Sequence, residues 1–108
     1  MGYYTDFRLE VLETDESEVE EIINHLRKYS KDAKEAIDEY GDYQCEMKWY
    51  EHDKEMKEFS KKHPHALFKL YGEGEGSEDK WITYYKNGKS QFCQGIIVYP
   101  LYDKSKLI

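Results

Sequence analysis

Cysteine is scarce in this chain, and the placement of its two cysteines excludes the common cysteine-based sites. Cys45 and Cys93 are the only two in 108 residues, and no Cys-x-x-Cys pair is present. Redox motifs and most structural zinc sites need such a pair. We therefore expect two reduced thiols in a cytoplasmic protein.

The sequence also lacks the features that direct a chain to a membrane. Its first residues, MGYYTDFRLEV, contain no basic segment followed by an apolar core, and Asp6 stands where a myristoylation motif has Ser or Thr. No apolar run approaches the length of a membrane-spanning helix. We expect a soluble protein without a membrane partner.

Basic residues are outnumbered, since 16 Lys and Arg face 23 Asp and Glu and the formal net charge is −7. This sign opposes direct binding to DNA, RNA or an anionic membrane. Residues 1–30 hold eight acidic and three basic residues, residues 31–62 hold ten and seven, and residues 63–108 hold five and six. The negative charge therefore lies on the helical part of the chain, and a basic protein is the expected partner.

Aromatic residues, in contrast, are plentiful. They make up 16% of the chain and include eleven tyrosines. Disordered chains are poor in aromatics, so we expect a folded core in which rings contribute more than aliphatic side chains. The length suits a single domain, predicted at residues 1–100, with a tail at residues 101–108.

Strands are predicted where apolar and polar residues alternate, at residues 3–12, 42–50 and 65–71. A β-hairpin follows, with Asn87-Gly88 as its two-residue turn. That turn places Thr83 opposite Phe92 and Trp81 opposite Gln94. Both faces of the hairpin are fairly apolar, so either both are covered or one is a binding surface.

Helices are predicted between these strands. Asp15 and Glu18 have the spacing of a capping box, and the residues after them recur at helical spacing as Val19, Ile22, Ile23 and Leu26. A weaker helix is predicted at residues 30–40, ending at Gly41. A third is predicted at residues 51–62 and ends before Pro64.

The resulting order is β-α-(α)-β-α-β-β-β, which suits an α+β domain. The most economical arrangement is a ferredoxin-like two-layer sandwich with a C-terminal β-hairpin at Asn87-Gly88.

Catalytic and metal-binding motifs are weak in this sequence. The glycine-rich stretch GEGEG precedes a strand and carries acids, so it does not fit a phosphate-binding loop. The acidic loop does not have EF-hand spacing. His63 and His65 flank a proline, and no local motif joins them, or His52, to a cysteine nucleophile. We expect no enzyme activity, no metal and no cofactor.

The predicted partner-binding residues are acids and exposed aromatics. Four acids lie in the loop before the hairpin: Glu73, Glu75, Glu78 and Asp79. Four more lie at the start of the first helix: Asp15, Glu16, Glu18 and Glu20. The aromatic anchors are Trp81, Tyr84 and Tyr85.

Two alternatives remain open. The first is a nucleotide or single-stranded RNA binding module that stacks bases on the sheet aromatics Trp81, Tyr84, Tyr85 and Phe92. The second is a homodimeric structural protein whose apolar hairpin face is its interface.

The stretch KWYEHDKEMKEFSKKHPHALFKLYGEGEGSEDKWITYYKNGK resembles small proteins that are common in phage and mobile-element genomes. Over residues 47–98 the chain is similar to the ferredoxin-like domain of Api92-like proteins. The resemblance implies a phage or prophage origin and the ferredoxin-like fold, and it supplies no activity and no functional residues. By analogy, we expect a small acidic binding protein that acts in the host cytoplasm. It would inhibit a nucleic-acid-handling defence protein, as anti-CRISPR proteins do.

Overall fold

The computed structural model describes residues 4–76, 79–95 and 101–108. The elements of these ranges, in chain order, are β1 (Asp6–Leu12), α1 (Glu16–Tyr29), α2 (Lys31–Ala36), α3 (His52–Ser60), β2 (Leu67–Glu73), β3 (Lys80–Lys86) and β4 (Lys89–Gln94). A turn of 3₁₀-helix at Lys104–Lys106 lies in the exposed C-terminal residues.

The four strands form one antiparallel sheet in the order β1-β2-β3-β4. Successive side chains of a strand point to opposite faces. One face is covered, and its buried side chains are Phe7, Leu9, Val11, Phe68, Leu70, Thr83 and Tyr85. On the other face, which we call the open face, no described side chain is buried.

The helices lie against the covered face. α1 and α2 contact β1, whereas α3 contacts β3 and β4. The predicted apolar stripe of α1 is confirmed, because Ile22, Ile23 and Leu26 are buried. Met56 and Phe59 fill the same role on α3. Together with the strand residues these side chains form one hydrophobic core.

The predicted hairpin is confirmed in position and register. Asn87 and Gly88 have φ angles of 46° and 81°, as the two central residues of a type I′ turn require. Thr83 lies opposite Phe92, and Trp81 lies opposite Gln94. Of the apolar residues that follow β4, those at positions 96–98 lie outside the described residues.

The α+β prediction is confirmed in its coarse form, as a four-stranded antiparallel sheet with three α-helices, compatible with two layers. The ferredoxin-like order is not confirmed, since sheet neighbours here are also sequence neighbours.

The strand predicted at residues 42–50 is wrong. Isolated bridges join Thr5 to Met47 and Ile37 to Tyr43, and no ladder forms in this segment. Within it the alternation places one side chain in the core, because Trp49 is 1% exposed. The segment therefore lies beside the outer edge of β1 and bonds to it at isolated points, without forming a fifth strand.

Local hydrogen bonding explains why this segment is not a strand. The Gln44 side chain donates to the carbonyls of Lys34 and Glu35, and the Gln44 N–H donates to the carbonyl of Ala36. These are carbonyls at the C-terminal end of α2, which have no partner within the helix. The segment therefore caps α2.

The beginning of α1 also differs from the prediction. Asp15 stands at the N-cap position, but its side chain forms no cap hydrogen bond. The Glu18 carboxylate instead accepts from the Thr14 hydroxyl at 2.9 Å. The predicted capping box is thus wrong, because the Asp15 side chain caps no backbone N–H and Glu18 bonds to Thr14. α2 is shorter than predicted and is capped by Ser30, whose hydroxyl accepts from the Ala33 N–H.

Candidate binding surface

The acidic loop between β2 and β3 holds three acids that the structure describes. Glu73 is the last residue of β2, Glu75 and Asp79 follow it, and Glu78 lies outside the described residues. A backbone hydrogen bond of 2.7 Å from Gly74 N to Asp79 O closes the loop. The carboxylates are therefore carried by a hydrogen-bonded turn.

Two of these carboxylates already interact with the chain itself. Glu73 Oε1 lies 3.7 Å from Lys80 Nζ, and Glu75 accepts from the Tyr4 backbone N–H at 2.9 Å. Both acids are exposed. Because exposed ion pairs contribute at most about 1 kcal/mol, a basic partner can compete with the Lys80 contact.

The two predicted acidic sites lie at opposite ends of the sheet. Glu73 pairs with Asp6, the first residue of β1, whereas α1 begins shortly after Leu12, the last residue of β1. Seven residues of strand separate these ends, which is about 20 Å. The structure therefore does not bring the loop and the start of α1 into one patch.

The acids that begin α1 divide into two groups. Glu18 turns toward His65, with 3.6 Å between the carboxylate and the ring. Asp15, Glu16 and Glu20 are exposed and form no ion pair with any residue in the described ranges. Glu16 and Glu20 are four residues apart and so share one helix face.

The helix dipole explains why some of these acids lie at the start of α1. Negative side chains are stabilised near the N-terminus, and the effect fades after the first turn. Glu16 lies in that first turn, but Glu20 lies beyond it. A like-charge pair at this spacing costs a helix about 0.2–0.5 kcal/mol. The presence of an acid at position 20 therefore does not follow from a contribution to the stability of α1.

An exposed tyrosine lies beside this helix face. Tyr40 is 63% exposed, and the pKa of its hydroxyl is raised chiefly by Glu39 and then by Glu20. The Asp38 carboxylate accepts from the Tyr40 N–H at 2.8 Å, which fixes the turn that carries the ring. The Gly41 carbonyl accepts from the Leu9 N–H at 2.8 Å and joins this turn to β1.

A groove of about 200 Å³ runs between β1 and Tyr40. Its lining residues are Arg8, Leu9, Glu10, Val11, Leu12, Val19, Ile23, Tyr40 and Asp42. Its lining is largely apolar, and the charges of Glu39 and Glu20 act on the Tyr40 hydroxyl beside it. We call this feature, with these two acids, the acidic groove.

The three predicted aromatic anchors differ in accessibility. Tyr85 is 0% exposed, and its hydroxyl donates to Asp53 at 3.0 Å, so it cannot contact a partner. Trp81 packs over Gly72 on the covered face, where it is half-buried. Tyr84 is half-buried on the open face. Tyr84 is thus the one of the three that lies on the open face.

The open face carries stacked cations of its own. The Arg8 guanidinium lies 4.1 Å from the centre of the Tyr71 ring, and Lys69 Nζ lies 4.9 Å from the same centre. The Tyr71 hydroxyl donates to Glu10 at 2.6 Å. A cleft of about 540 Å³ adjoins this stack, and its lining residues include Arg8, Tyr43, Tyr71, Trp81, Ile82 and Cys93.

The histidines lie in separate clusters. His63 lies against His25, with 2.9 Å between their ring nitrogens, while His52 stacks on Trp81 with centroids 5.0 Å apart. Burial, followed by His25 and then His65, lowers the pKa of His63. Within the described ranges, no group of three or more His, Cys, Asp and Glu residues is arranged to hold a metal ion.

Burial also lowers the pKa of His52, whose Nδ1 is buried and forms no hydrogen bond. The thiols of Cys45 and Cys93 are free. Cys93 lies on the open face, whereas His52 contacts Trp81 on the covered face. The sheet therefore separates this cysteine from this histidine.

Comparison of the chain with protein-family models, with curated proteins and with solved structures gives no match. Among the helices of the described ranges, none combines the length and apolar character needed to cross a membrane.

Few features of the sequence predict the acidic groove. Tyr40 has the spacing of an inward-facing residue of α2, but α2 ends at Ala36 and the ring points outward. The signal that could have located the turn is Asp38 followed by Gly41, because Asp side chains close such turns and Gly adopts positive φ. Gly41 has a φ of 86° here.

Proposed function

We propose that this protein is a small acidic binding protein that docks on a basic surface of a nucleic-acid-handling protein. The acidic groove is the centre of the contact in this proposal, and the acidic loop is a second, separate contact. The observation that carries the proposal is Tyr40, an exposed ring whose hydroxyl feels the negative charges of Glu39 and Glu20.

The chemistry of the groove suits such a contact. Tyrosines that become buried in an interface are common among the residues that contribute most to binding. Charges around them set the association rate and the choice of partner. The Tyr40 ring would enter an apolar site on the partner. Glu20 and Glu39 would meet lysine or arginine there, because exposed carboxylates attract cations over roughly 8–10 Å at physiological salt.

The proposal includes the class of partner. A basic groove that binds phosphates can also accept carboxylates spaced along a helix face, as Glu16 and Glu20 are. Occupation of that groove would block nucleic acid. Together with the resemblance to phage proteins over residues 47–98, this supports an inhibitor of a host defence protein of the CRISPR type, acting in the host cytoplasm.

Charge reversal in the acidic groove tests this proposal. The immobilised chain is used to capture proteins from host lysate, and the captured effector is assayed for nucleic-acid cleavage. Glu20→Lys with Glu39→Lys should abolish both capture and inhibition. Glu46→Lys with Glu51→Lys is the matched control, because both acids are exposed and lie outside the groove.

Two results would contradict the proposal. In the first, the groove variant and the control variant capture the same proteins with the same salt dependence. In the second, the captured protein binds no nucleic acid. Because surface substitutions of this kind change stability by about 0.5 kcal/mol or less, loss of folding would not confuse the comparison.

A second candidate function is supported by the cleft on the open face. Arg8 stacked on Tyr71 offers a cation and a flat aromatic surface, as single-stranded nucleic-acid sites do. Three of the four aromatics expected to stack bases, Trp81, Tyr85 and Phe92, belong to the covered side of the sheet. Quenching of tyrosine emission by short oligonucleotides, lost in Tyr71→Ala, would favour this alternative over the first.

A further inference from the structure

The two edges of the sheet are treated differently by the chain. At the outer edge of β1, the Leu9 N–H donates to the Gly41 carbonyl at 2.8 Å, and Thr5 and Met47 exchange two hydrogen bonds of 3.0 Å. The segment after α2 therefore covers part of this edge. At the outer edge of β4, no described segment pairs with Ser90 or Phe92.

The register of the hairpin shows which groups of β4 face outward. The Gly95 N–H donates to the Lys80 carbonyl at 2.8 Å, so Gly95 faces β3. Backbone groups alternate in direction along a strand. Gln91 and Cys93 therefore face β3 as well, whereas the N–H and C=O groups of Ser90 and Phe92 point away from the sheet.

This edge has few of the features that protect edge strands from pairing. Native proteins use charged side chains, prolines and bulges for that purpose. β4 contains no proline and no bulge, and its one charged residue is Lys89 at its start. Phe92 is 61% exposed beside the unpaired backbone. An extended strand can therefore approach β4 at low cost.

Charge limits the surfaces through which two copies of this chain can meet. A second copy of this chain carries a net charge of −7 and is repelled by the carboxylates of the helical layer. The hairpin, residues 80–95, contains three lysines and no acid. The β4 edge is thus a place where two copies can meet without bringing carboxylates together.

We propose that β4 pairs antiparallel with β4 of a second copy, on a two-fold axis beside Gln91, which joins two four-stranded sheets into one of eight strands. In this register Ser90 of each copy exchanges both backbone hydrogen bonds with Phe92 of the other. The two Gln91 side chains face each other on the open face. This inference does not depend on the proposed function, because the acidic groove lies at the opposite edge.

The first test is the mass of the chain in solution, measured by light scattering over a range of concentrations. The apparent mass should rise from 13.0 kDa to twice that value. Ser90→Pro removes the outward N–H, which β3 does not use, and should restore the monomer. Ser90→Ala is the matched control, because it keeps that N–H and should leave the dimer intact.

The second test is cross-linking, which does not require the proline variant to fold. Opposite residues in such a pair have Cα atoms about 4.5–5.5 Å apart, within the range of a disulfide. In a Cys45→Ser, Cys93→Ser background, Gln91→Cys should form a cross-linked dimer on mild oxidation. Lys89→Cys should not, because its two copies are distant in this register.

The outcomes are decisive in both directions. A mass that stays at 13.0 kDa at every concentration overturns the proposal. So does a dimer that Ser90→Pro leaves intact, or equal cross-linking through positions 89 and 91. Dimers that depend on the Ser90 N–H and cross-link through position 91 support it. Loss of host-protein binding in groove variants leaves this result unchanged, so the two proposals fail separately.

Discussion

Glu55 is expected to be one of the most costly charged residues to replace, because a single oxygen satisfies two buried donors. Glu55 Oε1 accepts from the Ser30 hydroxyl and from Trp49 Nε1, the latter at 3.0 Å. Ser30 is 4% exposed and Trp49 is 1% exposed. The carboxylate thereby ties together the start of α2, the segment before α3 and α3 itself.

The two substitutions Glu55→Met and Glu55→Gln separate the parts of this interaction. Methionine fills the space but leaves both donors without a partner, at about 1–3 kcal/mol for each donor. Glutamine keeps an oxygen at the same position and loses mainly the charge. Charged acceptors form hydrogen bonds roughly twice as strong as neutral ones, so this loss costs about 1 kcal/mol for each of the two bonds. We therefore expect Glu55→Met to cost about 2–6 kcal/mol and Glu55→Gln about 2 kcal/mol at most.

Urea unfolding followed by tryptophan fluorescence measures both values. Glu51→Met is the matched control, because Glu51 precedes the same helix and its side chain caps nothing. Its cost should stay within about 0.5 kcal/mol. The reasoning is refuted if Glu55→Gln destabilises the fold as much as Glu55→Met, or if Glu55→Met matches the control.

Three further predictions concern stability. Burial lowers the pKa of His52 and His63 from the usual 6.5, so the unfolded chain binds more protons than the folded chain near that pH. Urea midpoints should therefore begin to fall as the pH drops below about 7.5 and continue to fall through pH 6.5. A midpoint that rises on acidification over this range would contradict this. Gly72→Ala places a Cβ 2.1 Å from the Trp81 ring, so it should cost about 1–3 kcal/mol and shift tryptophan emission to the red; unchanged emission would show that the ring does not lie there. Gly88→Ala should cost about 1–2 kcal/mol in thermal unfolding, since its φ is 81°, and an unchanged midpoint would argue against the type I′ turn.

Local signals in the sequence predict part of this fold well. The apolar spacing of α1 and the Asn87-Gly88 turn depend on residues close together in the chain, and both are confirmed. The strand predicted at residues 42–50 depends on a partner strand, and alternation alone does not reveal whether one is present. The free carbonyls at the C-terminal end of α2 compete with a strand partner for the donors of this segment. Gln44 donates to those carbonyls.

The candidate site was harder to predict, for a related reason. Which hairpin face is covered depends on where α3 docks, so Tyr84 and Tyr85 could not be distinguished from the sequence. Tyr85 enters the core and bonds Asp53 of α3. The acidic groove depends on a turn after α2 that is fixed by a long-range contact between Leu9 and Gly41. Neither contact can be predicted from the local pattern of apolar and polar residues.

The cluster around His52 has a practical consequence. The chain has two tryptophans, and the rings of Trp49 and Trp81 lie 6.3 Å and 5.0 Å from that of His52. A small cavity beside them is also lined by Asp79 of the acidic loop. Indole emission therefore reports on the end of the molecule that carries the acidic loop. A ligand titration followed by tryptophan emission would detect occupation of that acidic site without any added label.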